Sequence, residues 1–246
     1  MADNRGAAIY SGKLYVAPYE QPANLTFIGN VSSLEYTPEV NDIELTDYTT
    51  PGGGLDASVR RISAINMTFD ARHLNIGNMS RAVYGTDTKV VAGTVTGEAH
   101  NAYPGALVTL AHPKATDHVV KTAAGATTLI KDTDYIVTVT GNIQILEGAE
   151  ISTETEITVD YSYGAYSNIE AMTATGKRFR VYFEGINEVD GRVTTIDAYK
   201  AGFSPSTLSM IGDDFASMPF EAKLEKDGTR SASVGVSQFM SIRSPD

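Results

Sequence analysis

With 246 residues, 42% of them hydrophobic and 20% charged, the chain is long enough for a substantial core and is not compositionally disordered. The absence of Cys excludes a disulfide framework, a thiolate metal site and a cysteine nucleophile. A formal charge of −11 argues against tight nucleic-acid binding, which needs Lys and Arg clustered against phosphates, and no apolar run is long enough to span a bilayer. The first ten residues lack the apolar core of a secretory signal, so export by the usual route is not expected. The Asn-x-Ser/Thr triplets at Asn24, Asn66 and Asn78 therefore carry little weight.

Residues 13–17 and 27–31 read as short strands, interrupted by Pro18 and Pro22. Leu34, Tyr36, Val40, Ile43 and Leu45 continue a β pattern towards Tyr48. Residues 49–55 are too Gly-rich for a regular element and predict a flexible loop. Beyond it, Ile65, Met67 and Phe69 alternate with Asn66, Thr68 and Asp70, the pattern of a half-buried strand. Residues 33–70 thus form a long hairpin-like excursion with a mobile tip. One short helix is expected, capped by Asn75, docked through Ile76, Met79 and Val83, and ended by a left-handed Gly85.

From about residue 95 to residue 165 the texture changes. Strand candidates at 107–110, 119–120, 135–139, 143–146 and 157–161 follow closely, with Gly141-Asn142 as a two-residue turn. The stretch holds nine acidic and three basic residues, a net of −6, about half the excess negative charge in under a third of the length. It reads as a small all-β module inserted into a larger β domain.

The stretch that organises the remainder is 178–187 followed by 192–201. Phe179, Val181 and Phe183 alternate with Arg178, Arg180, Tyr182 and Glu184, and Gly191 ends the acidic turn between the two runs, so the pair predicts an antiparallel hairpin. Its polar face must meet water, a ligand or another subunit. Phe220, Ala222 and Leu224 alternate with charges in a later strand, and residues 234–239 predict a last strand or docking arm.

No reaction chemistry assembles. His73, His100, His112 and His118 lack the close pairing of metal motifs. Asp132/Asp134 and Asp213/Asp214 fall outside any calcium-loop pattern. Gly52-Gly53-Gly54 lacks the strand-to-helix setting and the Lys of a phosphate loop, and there is no Gly-x-Ser-x-Gly elbow. The chain is therefore expected not to be an enzyme and to need no metal or cofactor. Arg60-Arg61 and Lys177-Arg178 are the densest basic spots, sufficient for salt bridges to a neighbouring chain.

Taken in order, Gly12-Lys-Leu-Tyr-Val-Ala17, Ile28-Gly-Asn-Val-Ser-Ser-Leu34, Asp47-Tyr-Thr with the Gly-rich tip, and Ser58-Val-Arg-Arg61 resemble the opening of tail tube proteins of long-tailed (siphophage-like) bacteriophages. Val83-Tyr-Gly85, closing the helix, and Tyr199-Lys-Ala-Gly-Phe-Ser-Pro205, after the hairpin, are similar to the same family. The likeness covers residues 10–90 and 165–240, and its strength lies in the order of the motifs.

The resemblance implies a mainly β fold: a tail-tube-type β-sandwich or barrel over 1–94 and 166–246, with one short helix, a long stacking hairpin and an inserted β-sandwich-like surface module over 95–165. It implies a structural virion protein, made in the bacterial host cytoplasm, that self-assembles into stacked hexameric rings. These form the hollow tail tube for DNA ejection. The implied partners are further copies of the chain, tail tip or initiation and terminator proteins, and the tape measure protein and viral DNA in the lumen, without specific binding and without a membrane. A net negative chain suits a conduit, since like charges within a Debye length of about 8 Å repel a sliding polyanion.

Strand alternation nominates Glu184 and Asp197 for the lumen, with Arg178 and Arg180 either beside them or bridging subunits. The ring-to-ring contact is assigned to the excursion from Asp42 to Ile62, in particular Asp47, Tyr48, Pro51, Gly52, Gly53, Gly54, Leu55, Arg60 and Arg61. The alternative is a monomeric β-rich binding module for host-surface or carbohydrate recognition, with Tyr103, Tyr161, Tyr163 and Tyr166 as its aromatic platform.

Overall fold

A computed structural model describes residues 6–123, 127–148 and 150–245; residues 1–5 of the N-terminal stretch read above lie outside them. The fold is mainly β with antiparallel sheets, 51% strand against 3% helix. In chain order the elements are β1 (Tyr10–Pro18), β2 (Thr26–Phe27), β3 (Val31–Thr46), β4 (Leu55–Ala71), α1 (Ile76–Ala82), β5 (Thr86–Val90), β6 (Gly93–Ala102), β7 (Leu107–Val108) and β8 (Thr116–Thr122). There follow β9 (Tyr135–Val137), β10 (Ile143–Ile145), β11 (Thr155–Tyr163), β12 (Tyr166–Glu170), β13 (Phe179–Asn187), β14 (Val193–Phe203), β15 (Met218–Leu224) and β16 (Met240–Arg243). The chain divides into two compact units, one from residues up to 87 and from 169 onward, the other spanning 88–168. The strands β5 and β12, at the two crossings, pair with each other.

In the first unit the sheet runs β2-β1-β13-β14-β15-β4-β3, with β16 added beside β14. Alternation explains which side is dry. Val181 is buried, Phe179 and Phe183 pack on the same core, and their neighbours Leu14, Val16, Ala198 and Ala201 point the same way. Phe69 stacks on Phe220 with ring centroids 4.9 Å apart, and Phe203 packs edge-on to both. Such aromatic pairs add about 0.5–1.5 kcal/mol each beyond their area burial.

Where β1 meets β13, Gly12 lies opposite Gly185 and the Phe183 ring packs across the bare backbone. A Cβ on Gly12 would come within 2.7 Å of both Gly185 Cα and Phe183 Cε2. The β13–β14 turn uses Gly191 at φ +77°, and Asn187 anchors it by accepting from the Ile9 and Val189 N–H groups.

The helix is capped by Asn75, whose side chain accepts from Asn78 N at 2.9 Å. Met79 packs on the core as expected, but the rest of the docked face differs. Asn78, Ser80 and Ala82 are buried and Ile76 is exposed. Asn78 can face inward because its amide donates to the Ile28 and His73 carbonyls at 2.8 and 2.9 Å, which satisfies a buried polar group. The left-handed residue is Tyr84 at φ +51°, held by its hydroxyl donating to the Phe203 carbonyl. Gly85 is small for another reason: a Cβ there would meet Ile169 Cγ2 at 2.6 Å.

The second unit closes a separate core between two three-stranded sheets, β7-β10-β9 and β6-β11-β8. Val108, Tyr135, Ile143 and Ile145 face Val120, Ile157, Val159 and Tyr161 across it. Gly141 turns β9 into β10 at φ +87°.

Candidate functional site

The longest pairing in the chain is β3 with β4, and only its inner half rests on the core. Ile65, Met67, Phe69 and Ala71 are buried against β15, whereas from Val40 to Ile62 every residue but Asp47 is exposed. The outer half is therefore a projecting two-stranded arm. Its register places Ile43 opposite Val59, Leu45 opposite Ala57, and Asp42 opposite Arg60. Side chains alternate across a strand, so Ile43, Leu45, Ala57 and Val59 share one face, with Asn41 and Arg61 at its base; the register shifts beyond Leu45, and Leu55 pairs with Thr46 nearer the tip. Ile43, Leu45 and Val59 are 47, 53 and 54% exposed, an apolar stripe in water.

The opposite face carries Val40 and Ile62 at its base and is polar beyond them. Arg60 grips Asp42 at 2.7 and 2.9 Å, and Glu44 and Asp56 lie near it without a cation among the described residues. The tip is a hydrogen-bonded turn. Asp47 N donates to Gly54 O at 2.8 Å, and the Asp47 carboxylate accepts from Thr49 N, Thr49 Oγ1 and Thr50 Oγ1. Those hydrogen bonds hold the Asp47 carboxyl below its usual range. Gly52 and Gly53 take positive φ values of +103° and +64°, beside Pro51, Gly54 and an 86% exposed Tyr48.

The four charges nominated for a lumen fall on the polar side of the sheet, in three environments. Glu184 is exposed and accepts from the Tyr15 hydroxyl at 2.8 Å. Asp197 is only 6% exposed and is held by Arg180 through two hydrogen bonds of 2.8 and 2.9 Å, so both charges are committed within the chain. Arg178 contacts Glu225 at 2.6 Å, and Lys200 reaches the same carboxylate at 3.1 Å. Burial works to raise the Glu225 carboxyl, yet hydrogen bonds from Lys200 and Arg178 leave it below its ordinary value.

In the second unit His112 stacks on Tyr163 at 3.7 Å between centroids and bonds the Tyr166 hydroxyl through Nδ1 at 3.0 Å. Glu98 gathers the Tyr161 hydroxyl, His100 Nε2 and Ala111 N–H. Although burial works to raise the Glu98 carboxyl, these partners hold it low, while Tyr161 is pushed up by burial and by that carboxylate. Tyr161 is buried, so the tyrosines are spent on one another and on His112, leaving Tyr103 as an exposed ring away from this group. His118 bonds the Gly141 carbonyl at 2.8 Å, and His73, in the first unit, accepts from Asn30 N at 3.3 Å.

The apolar stripe was missed in the sequence because Asp42, Glu44, Asp56 and Arg60 interrupt it. Only the pairing of two strands gathers it. Its signal is the alternation of Ile43 and Leu45 with Ala57 and Val59 across a turn.

A family described as "Protein of unknown function UCP028589" matches residues 7–243. No curated protein matches the chain.

Proposed function

We propose, for a chain that belongs to this family and whose family description names no activity, that it is a structural virion protein of the phage tail tube. It self-assembles into stacked hexameric rings, forming a hollow conduit for DNA ejection. The observation that carries the reading is the arm from Val40 to Ile62, with its stripe of Ile43, Leu45 and Val59. A two-stranded ribbon wetted on both faces is marginal by itself, and an apolar stripe on it is a standing invitation to association. A second copy of the chain is the partner such a ribbon meets in an assembly of identical subunits.

The strand path adds support, because it is open and leaves β2 and β3 as its ends. Such rims can be completed by a neighbouring copy instead of remaining hazards. The ring order, the tail location and the neighbours in the tail are carried by the resemblance of the motifs from Gly12 to Pro205. A sugar-binding reading gains nothing from the tyrosine group, since Tyr161 is buried and Tyr163 is covered by His112.

Electron microscopy and sedimentation velocity over a concentration series, with and without tail initiation components, test the proposal. Rings or hollow filaments are expected. Protein that stays single-chain under every condition refutes it.

A further inference from the structure

Two guanidinium groups on the polar side of the first unit's sheet form no ion pair among the described residues, and they line one cavity. It measures about 540 Å³, and Tyr19, Arg180, Asp197, Tyr199, Arg230 and Arg243 are among its walls. Arg180 is committed to Asp197. The other carboxylate in the wall, Asp227, accepts from the Tyr19 hydroxyl at 2.8 Å and from the Thr229 N–H and hydroxyl at 3.0 and 2.6 Å. Burial works to raise it, but these hydrogen bonds and the charge of Arg230 hold it below the usual carboxylate range. Arg230 is fixed by an aromatic ring: its guanidinium carbon lies 3.5 Å from the centroid of Tyr199. Stacking orders the planar fork and leaves N–H donors at its edge free for an oxyanion. Arg243, exposed on β16 opposite Thr195, supplies the second unspent fork.

The cavity thus holds three cations against two carboxylates, in a chain whose formal charge is −11. The arm shows the complementary shortage. Asp42 is spent on Arg60, whereas Glu44 on the same face and Asp56 at the register shift nearer the tip are exposed with no cation within ion-pair distance among the described residues.

We infer that the Arg230/Arg243 cavity receives carboxylates of a second copy of this chain, and that Glu44 and Asp56 of that copy's arm supply them. The inference rests on the self-assembly reading above and names the polar contact that orients it. Charge complementarity and the reach of the arm favour this occupant: two forks without an ion pair line the cavity, two carboxylates without an ion pair sit on the projecting arm, and a polyanion is disfavoured by the chain's net charge. Because donor patch and acceptor patch are different surfaces of the same unit, the contact is heterologous. It propagates from copy to copy instead of closing a dimer.

Charge swapping tests it. The Arg230→Glu/Arg243→Glu chain and the Glu44→Arg/Asp56→Arg chain are each expected to need a concentration about tenfold or more above the parent's for half-assembly. Far-UV circular dichroism should stay at the parental spectrum in both. The chain carrying all four substitutions should return to within a few-fold of the parent, because the pairs are restored with reversed sign. If the parent assembles and either double variant does so at the parental concentration, or the fourfold chain fails to recover, the inference is wrong while self-assembly stands. If the parent never assembles, both fall. If the parent retards a short duplex DNA and Arg230→Glu/Arg243→Glu abolishes that while assembling normally, the cavity takes phosphate and the inference is overturned.

Discussion

Truncating the centre of the arm's apolar stripe separates its role in assembly from any role in the fold. Ile43 and Val59 are directly opposed across the arm and are 47 and 54% exposed, so roughly half of each side chain remains to be buried. Complete burial of such a residue is worth about 1.5–3 kcal/mol, and the remaining half therefore about 1 kcal/mol each. The double variant Ile43→Ser/Val59→Ser should lose about 2 kcal/mol per docked arm, which corresponds to about 30-fold weaker association. Within the single chain the same change removes one partly wet cross-strand pair, worth about 0.2–1 kcal/mol. The midpoint of thermal unfolding should then fall by no more than about 4 °C. Sedimentation velocity over a concentration series reads the first quantity and circular dichroism melting the second. Unchanged association would refute the docking role. A large melting shift with unchanged association would show that the stripe is packed within its own chain.

Four further outcomes follow from the geometry. Deleting Pro51–Leu55 removes Gly54, which closes the tip through Asp47, and should leave the fold intact by circular dichroism while abolishing polymerisation. Gly12→Ala forces a methyl group against Gly185 and Phe183, and should lower stability by about 1–3 kcal/mol in denaturant melts, the usual cost of overpacking. Asp197→Asn leaves the half-buried Arg180 without its bidentate carboxylate, and should cost about 1–3 kcal/mol in the same assay. The Asp47 carboxyl is held low in the folded chain, so its contribution to the tip turn is present above the ordinary aspartate pKa of about 4 and is lost as pH falls through the lower folded value. Amide shifts of Thr49 followed by NMR during acidification should therefore stay constant down to about pH 4 and move only below it.

What the sequence revealed follows from how local its signals are. The β13–β14 hairpin was legible because Phe179, Val181 and Phe183 alternate with charges and Gly191 marks the turn within five residues of Asn187. The β3–β4 excursion was legible for the same reason. The turn at its tip was not legible because Gly52-Gly53-Gly54 outweighed a signal just upstream, Asp47 with Thr49 and Thr50 that bond back to it. The helix face was legible at Met79, which packs on the core, and misjudged at Ile76, which is exposed, while the inward polar residue is Asn78, whose amide finds two carbonyls supplied by residues 28 and 73. The commitment of Arg180 to Asp197 was likewise hidden. Alternation puts both on the polar side of the sheet, and only the β13–β14 register, with its irregularity between Phe179 and Val181, brings them together.

Net charge is the least local signal, and it does not determine the sign of any one face. The chain is strongly acidic, yet the polar side of its main sheet offers Arg230 and Arg243 without an ion pair among the described residues. If that side lines a conduit, unspent forks repeated in every copy would hold phosphates, and each neutralised phosphate steepens salt dependence by about one unit of slope. Passage without binding therefore demands that the forks be neutralised before DNA arrives. A second copy's carboxylates would do so at the moment of assembly, which makes the arginine cavity a condition for sliding as well as a contact. The consequence is measurable in one comparison: assembled parent should leave a short duplex DNA free at low salt, whereas chains kept apart by Glu44→Arg/Asp56→Arg should retard it more than the parent does. Equal mobility with both would separate neutralisation from assembly and remove the link between them.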